Sequence, residues 1–494
     1  MDPTDAPGED LSAHDDLRGA RPTAAVVDLG ACARNYRRIH SHSDLRHVWA
    51  VVKADAYGHG AVPVARRLAA EGCYGFAVAT AQEGLELRRG GISQPILVTA
   101  GVGPLGLPGT APDDVTNDDC GDGTGGDGEN LRASRSWVVS LVAEHDLSIA
   151  IWDKSTASTI ARIVRQLGLP PVKMHLKVDT GMGRLGISLE EAPAGAAMLS
   201  ATAGIELEGI FSNLAAADHS ADDAGFEHTT KQVSRFANVC AILQAEGHLP
   251  PHRHLANTAA LMHHPDSWEA EWCNGVMPGL ALYGASLTPA REPLGLEPAL
   301  SWWTAVIAVR NVPAGWPVGY GLRHVTERPS RIAVLPVGYH DGWPRALGGR
   351  AQVLVAGRRV PVVGAVSMDL TMVDVTDLPA TQVGDAVALI GGWGDSGMRV
   401  FLRDIMGCAE RPSPSGSHTV PARKSAPPSH QAAGQDAVRI SAEDVAASAD
   451  SIAHELLCRI GERVPRLYLD SSPDSTETRL AGPTTETDIA ERTR

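Results

Sequence analysis

Eight short apolar strands alternate with amphipathic helices between residues 47 and 280, and this rhythm limits the fold more than any other feature of the sequence. The strands are HVWAVVKA (47–54), YGFAVAT (74–80), PILVTA (95–100), LSIAIW (147–152), VKMHLKVD (172–179), IELEGIFS (205–212), HRHLAN (252–257) and CNGVMPGL (273–280). Helices such as AVPVARRLAAEG (61–72) and AQEGLELRRGG (81–91) lie between them. Near-continuous apolar strands separated by helices imply a parallel sheet buried on both faces. Eight of them within about 240 residues suit a closed (β/α)8 barrel, with an open doubly wound sheet as the alternative. After 286 short strands follow one another through Gly/Pro turns (WTAVIAVRNV, RIAVLPVGY, AQVLVAG, RRVPVVGAV, MVDV, DAVALIGG), then a helix at 441–460 and a last strand, PRLYLD. The predicted class is therefore α/β: a (β/α)8 barrel over 21–285, followed by a mostly antiparallel β domain over 286–470. Residues 1–20 and 471–494 read as polar tails, and the Gly/Asp-rich 101–135 and Pro/Ser/Ala-rich 409–436 as disordered insertions.

Composition removes several functions. The chain of 494 residues carries 43 basic and 58 acidic side chains, a net charge of −15, which argues against a nucleic-acid partner. It contains no long apolar run of membrane-spanning length, and MDPTDAPGED has neither the basic end nor the apolar stretch of a signal peptide. Seven scattered Cys without a CxxC argue against a disulfide framework or a thiolate metal site and fit a reducing cytoplasm. Lys is scarce, with only six, so a Lys inside an apolar strand calls for a chemical reason.

Some motifs point nowhere. Gly101–Gly106 matches GxGxxG, but no helix pattern opens there, so a dinucleotide site is not expected. GTGGDGE (123–129) lacks the acidic spacing of a calcium loop. His252 and His254 share one side of a strand, but no further ligand has metal spacing, so a structural role is expected and no metal.

Two segments do carry chemistry. AVVKADAYGHG (50–60) puts Lys53 at a strand end, and the C-terminal strand ends form the active face of such a barrel. Burial there would depress the amine pKa and suit it to a Schiff base with a carbonyl compound. HLKVDTGMGRLG (175–186) puts Lys177 and Asp179 at another strand end, with Arg184 beyond a glycine-rich turn. A fixed guanidinium there could grip a carboxylate or phenolate. The bland readings are a snorkelling Lys and an ion-paired strand end.

In order and spacing these two segments resemble the alanine racemases, pyridoxal-phosphate enzymes. HLANTA (254–259), PGLALYG (278–284), PVGYGL (317–322), LPVGYHDGWPR (335–345), PVVGAVSMDLTMVDV (361–375) and RVPRLY (463–468) continue the likeness over roughly 23–470. The resemblance implies a cytoplasmic homodimer with shared active sites that interconverts L- and D-alanine by a two-base Lys/Tyr mechanism, supplying D-alanine for peptidoglycan. By the same resemblance Lys53 would hold the pyridoxal 5'-phosphate and act as one base, with Tyr320 of the partner as the other. Arg184 would contact the cofactor and the substrate carboxylate, and Lys177 would be carbamylated. Tyr57, Asn257, Thr258, Gly279, Tyr468 and the backbone of Leu280 would surround the phosphate. Met368 would bind the substrate carboxylate through its N–H, beside Asp369. Two departures stand out: Met277 replaces an Arg facing the pyridine nitrogen, and Asn213 replaces a His. The alternatives are a racemase for another small amino acid such as serine, a homologue with weak or lost activity, and a related decarboxylase. The last is opposed by the lack of its Cys-containing segment.

Overall fold

The computed structural model describes residues 21–44, 46–101, 127–287, 292–407, 438–471 and 479–480; of 127–135 and 479–480 it describes the backbone alone. The chain forms two compact units, residues 29–298 and residues 1–28 with 299–494.

In the second of these lies the first strand, β1 (Thr23–Asp28). The barrel belongs to the first: β2 (His47–Val51), β3 (Gly75–Val78), β4 (Ile96–Val98), β5 (Leu147–Ile151), β6 (Val172–Lys177), β7 (Ile205–Phe211), β8 (His252–His254) and β9 (Gly275–Val276). All eight neighbours pair in parallel, and β9 closes on β2 through His47↔Gly275 and Val48↔Val276. Each strand falls within one of the eight apolar runs. β5 is buried at every position, as a strand covered on both faces must be.

The covering helices follow their local signals. In Lys154–Leu167 the buried residues Ala157, Ile160, Ala161 and Val164 recur at three- and four-residue spacing. Burying each large aliphatic side chain contributes about 1.5–3 kcal/mol. The Asp153 carboxylate caps this helix by accepting from Ser155 and Thr156 N–H, and Gly168 ends it in the left-handed conformation at φ 64°. Ala81–Arg89 opens with a capping box between Thr80 and Glu83.

The second unit is a mostly antiparallel sheet. In spatial order its strands are Ala308–Val312, Ser330–Leu335, Thr371–Asp374, Arg358–Val363, Gln352–Val355, Ala386–Gly392, Leu300–Ala305, β1, Arg466–Asp470 and Arg479–Leu480. The one parallel pair on this path is β1 with Arg466–Asp470. Trp302 and Trp343 are buried and meet edge to face at 5.8 Å.

Three details differ from the sequence reading. A barrel beginning at 21 is not what forms: β1 pairs antiparallel with Leu300–Ala305. TAAVVD is apolar like the barrel strands, and periodicity does not say which strand it pairs with. The helix expected at 441–460 is two, Ala442–Ser448 and Ala453–Cys458, interrupted where Asp450 takes φ 54°. The insertion expected over 101–135 overlaps a helix, Asp127–Glu144, whose later residues Val139 and Val142 are buried. Residues 102–126 of that segment and the segment 409–436, like residues 1–20, lie outside the described residues. No described helix is long and apolar enough to cross a membrane.

Candidate active site

At the C-terminal end of β2 the chain does something no propensity scale foretells. Ala54, Asp55, Ala56 and Tyr57 all take left-handed helical angles, with φ between 52° and 55°, and Gly58 follows at φ 77°. For residues bearing a Cβ this conformation costs about 1–2 kcal/mol each, so the surroundings must impose it. They do so with a dense set of bonds. Ala56 N–H donates to Val52 O (2.9 Å), Gly60 N–H to Asp55 O (2.9 Å), and Ala61 N–H to the Asp55 carboxylate (2.7 Å). Tyr283 donates its hydroxyl to Val51 O at 2.8 Å, and its ring lies 5.1 Å from that of Tyr57 and 4.5 Å from that of His59. Lys53 opens this turn. Its side chain is exposed rather than buried, because the last buried residue of the strand end is Val52.

Next along the rim, β6 ends at Lys177, which is buried with Nζ 5.3 Å from the centre of the Phe211 ring. Burial, then the charges of Arg184 and Lys53, push its amine down to about 8. Asp179 accepts backbone N–H bonds from Gly181 (2.9 Å), Met182 (2.8 Å) and Gly183 (3.0 Å). Burial alone would raise its pKa; these N–H groups hold it below the ordinary carboxylate value. The same bonds shape the loop that presents the exposed Arg184.

At the ends of β8 and β9 a cradle forms. Asn257 caps the short helix Thr258–His263, accepting from Ala260 N–H at 3.0 Å. Thr258 Oγ1 accepts from Gly279 N–H (3.0 Å) and Ala281 N–H (3.3 Å). Leu280 begins a tight turn, Leu280–Tyr283, which leaves its N–H outside the turn's own bonding. A Cβ at Gly279 would fall 2.5 Å from the Tyr57 hydroxyl, so only glycine fits. Gly279→Ala should therefore destabilise the protein by about 1–3 kcal/mol through overpacking, read as a lowered urea midpoint.

Lys53, Tyr57, Lys177, Arg184, Asn257, Thr258, Gly279 and Leu280 thus share the C-terminal mouth of the barrel. Tyr320, Met368 and Tyr468 belong to the other unit. Tyr320 begins a tight turn between the paired strands Pro317–Val318 and His324–Val325, and is 75% exposed. Met368 is exposed; its carbonyl accepts from His340 N–H at 3.1 Å. Arg463 bridges Asp369 (2.7 Å) to the buried Asp341 (2.6 Å), which also pairs with Arg21. Tyr468 sits in Arg466–Asp470, in register with Val27.

Inside the barrel lies a polar relay that the sequence reading missed. Ser148 donates to Glu208; His175 Nε2 lies 3.2 Å from the same carboxylate and its Nδ1 lies 3.0 Å from His254 Nε2; His254 Nδ1 reaches Met277 Sδ at 2.8 Å. A thioether does not donate, so the His254 proton is on Nδ1 and its Nε2 accepts from His175. Burial pushes the His254 pKa well down, so it is neutral. Burial would raise the pKa of Glu208, but its bonds to His175 and Ser148 bring it down to about 2. An ionised carboxylate only accepts, so Glu208 takes hydrogen bonds from the Ser148 hydroxyl and the His175 ring. The ring also closes over β7: a Cβ at Gly209 would meet His175 Nδ1 at 2.3 Å. The visible signal was a Ser, a His and a Glu at barrel-strand positions, Ser148 in β5, His175 in β6 and Glu208 in β7. His252 is bound instead by the Tyr74 hydroxyl at 2.9 Å, so it and His254 are both engaged in protein contacts.

Comparison with known proteins agrees with this architecture. The family model described as "Alanine racemase, N-terminal domain" matches residues 27–112 and 131–287, and that described as "Alanine racemase, C-terminal domain" matches 299–406. The chain is 37% identical over 454 residues to an alanine racemase of Symbiobacterium thermophilum, covering 92% of this chain and 98% of the relative. It is 33% identical to one from Halothermothrix orenii, covering 91% and 98%. Among solved structures, alanine racemase from Streptomyces coelicolor superposes with a TM-score of 0.70 at 28% identity, covering 93% of this chain and all (100%) of the other. The Bacillus anthracis alanine racemase with bound L-Ala-P gives 0.69 at 30% identity, covering 93% and 98%.

Proposed function

The chain belongs to the alanine racemase family, and on that premise we propose that it racemises L- and D-alanine with pyridoxal 5'-phosphate, using Lys53 and Tyr320 as opposed acid/base groups. The observation that carries this reading is the meeting of the Lys53 turn with the Tyr57–Thr258–Gly279 cradle at one barrel mouth. The cradle fits a phosphate: it offers the Leu280 N–H and two hydroxyls in a space where a Cβ at Gly279 would intrude. Tyr57, Asn257, Thr258, Gly279 and Leu280, with Tyr468, are the residues proposed to hold it.

When bound, pyridoxal phosphate delocalises the electron pair left when an amino acid loses its α-proton. The rest is work for the protein. Racemisation needs proton transfer on both faces of a planar carbon, and Lys53 Nζ and the Tyr320 hydroxyl are proposed to serve one face each. Arg184 is proposed to orient the substrate carboxylate, aided by the Met368 N–H, because a guanidinium grips a carboxylate bidentately. A Lys177 amine at about 8 is partly neutral near that pH and can add to carbon dioxide, releasing a proton and leaving a carbamate that would attract Arg184. Met277 neither donates nor carries charge, so nothing at that position repels a proton on the pyridine nitrogen.

Tyr320 is proposed to serve the Lys53 of a second copy in a homodimer. Trp316, Leu322 and Val325, on or beside the same hairpin, are also at least 49% exposed, which suits an interface. Inactive Lys53→Ala and Tyr320→Phe chains should, after subunit exchange, recover about a quarter of the wild-type rate. Half of the dimers are then mixed, and each holds one intact site of two. No recovery despite proven exchange would place both groups in one chain. The buried cysteines Cys73, Cys240 and Cys273 form no disulfide, which supports a reducing, cytoplasmic location. D-Alanine made there would feed peptidoglycan synthesis.

A further inference from the structure

We propose that Glu83 is a positioning residue for Lys53, holding in register the left-handed turn on which that lysine is mounted; the inference rests on the reading of Lys53 given above. Glu83 is the third residue of the helix Ala81–Arg89, and half of its carboxylate does what a capping box requires. Oε2 accepts from Ala79 N–H (2.6 Å) and Thr80 N–H (3.1 Å), while Thr80 Oγ1 accepts from Glu83 N–H (3.3 Å). Oε1 is not needed for the cap. It reaches back to the rim of β2 and accepts from Ala54 N–H at 2.8 Å. Ala54 adjoins Lys53 and is the first of the four non-glycine residues at positive φ. Most other bonds of the turn come from its own segment, Val52 to Ala61. The Glu83 bond ties the start of the turn to a helix of the barrel wall, at the point where the chain leaves right-handed space. A rigid, capped helix thereby sets the origin of the Lys53 side chain, and placement of a reacting amine is worth large factors in rate.

The two halves of the carboxylate can be separated. In Glu83→Gln one oxygen becomes an NH2 group. With its remaining oxygen toward Ala79 and Thr80 the glutamine keeps two bonds; turned the other way it keeps one. The cap therefore survives, as glutamine is a normal capping-box residue, and the Ala54 N–H is left facing a donor. Hydrogen exchange of the full chain without added cofactor should show peptides covering 53–60 exchanging about five- to tenfold faster, the factor for one ordinary hydrogen bond, with 81–89 unchanged. With pyridoxal phosphate added, kcat should fall about tenfold with little change in KM for L-alanine, as expected when only placement of a reacting group is disturbed. Glu83→Ala should loosen both segments. Wild-type exchange at 53–60 in Glu83→Gln would overturn the proposal, as would loosening of 53–60 only together with 81–89, since that is the signature of a cap alone. The exchange readout needs no cofactor. Failure of borohydride to fix pyridoxal phosphate on Lys53 in the wild-type protein would instead refute the cofactor reading, with the Glu83 contact still judged by exchange.

Discussion

Replacing Lys53 with alanine should lower alanine racemisation by ~10⁴-fold or more, since it removes the residue proposed both to anchor the cofactor and to act as a general acid/base group. Two measurements check it: chiral chromatography of the product, and borohydride reduction followed by peptide mass analysis. The first should show no D-alanine above background. The second should find the cofactor fixed on Lys53 in the wild-type chain and on no lysine in the variant. Labelling at another of the few lysines would reassign the anchor. Lys177 is the one to watch, as its amine, pushed down to about 8, is partly in the free, nucleophilic form near that pH.

The second large effect is expected in the barrel core. Glu208→Leu should cost about 1–3 kcal/mol for each polar group it orphans, because it leaves the Ser148 hydroxyl and the His175 ring nitrogen buried without their partner. Glu208→Gln should cost only about 1 kcal/mol: its amide can donate to His175 Nε2 while its oxygen still accepts from Ser148. Urea unfolding followed by tryptophan fluorescence distinguishes the two. Equal losses in both variants would mean that the hydrogen bonds to residue 208 do not carry the effect. The pH dependence has a defined sign. The folded pKa of Glu208 is lowered from 4.5 to about 2, so its stabilising contribution is complete above 4.5 and is lost as pH falls toward 2. Glu208→Leu should be the less sensitive chain across that interval.

Much of the architecture was legible because buried parallel strands tend to write themselves as mostly apolar runs, and all eight barrel strands fall within the segments read as strands, even β8, which is His252–His254. The limit of that signal is pairing: TAAVVD and LSIAI are equally apolar, yet the first joins the sheet beside Leu300–Ala305 and the second the barrel. The placement of Lys53 and Lys177 at the ends of β2 and β6 was legible because lysines at strand ends are few in a chain so poor in lysine. The left-handed turn was not legible, since Ala-Asp-Ala-Tyr has no preference for positive φ and tertiary contacts impose it. The relay was half legible. His254 was singled out for a structural role, but that it meets His175, and that Met277 lies against it, depends on β6, β7, β8 and β9 standing side by side in the barrel wall.

The most direct test is to incubate the purified full chain, loaded with pyridoxal phosphate, with L-alanine in deuterium oxide, using L-serine as the control substrate. Alanine should approach equal amounts of the two enantiomers with deuterium at the α-carbon, and serine should change far more slowly. L-Alanine recovered unchanged, or racemised more slowly than serine, would contradict the assignment.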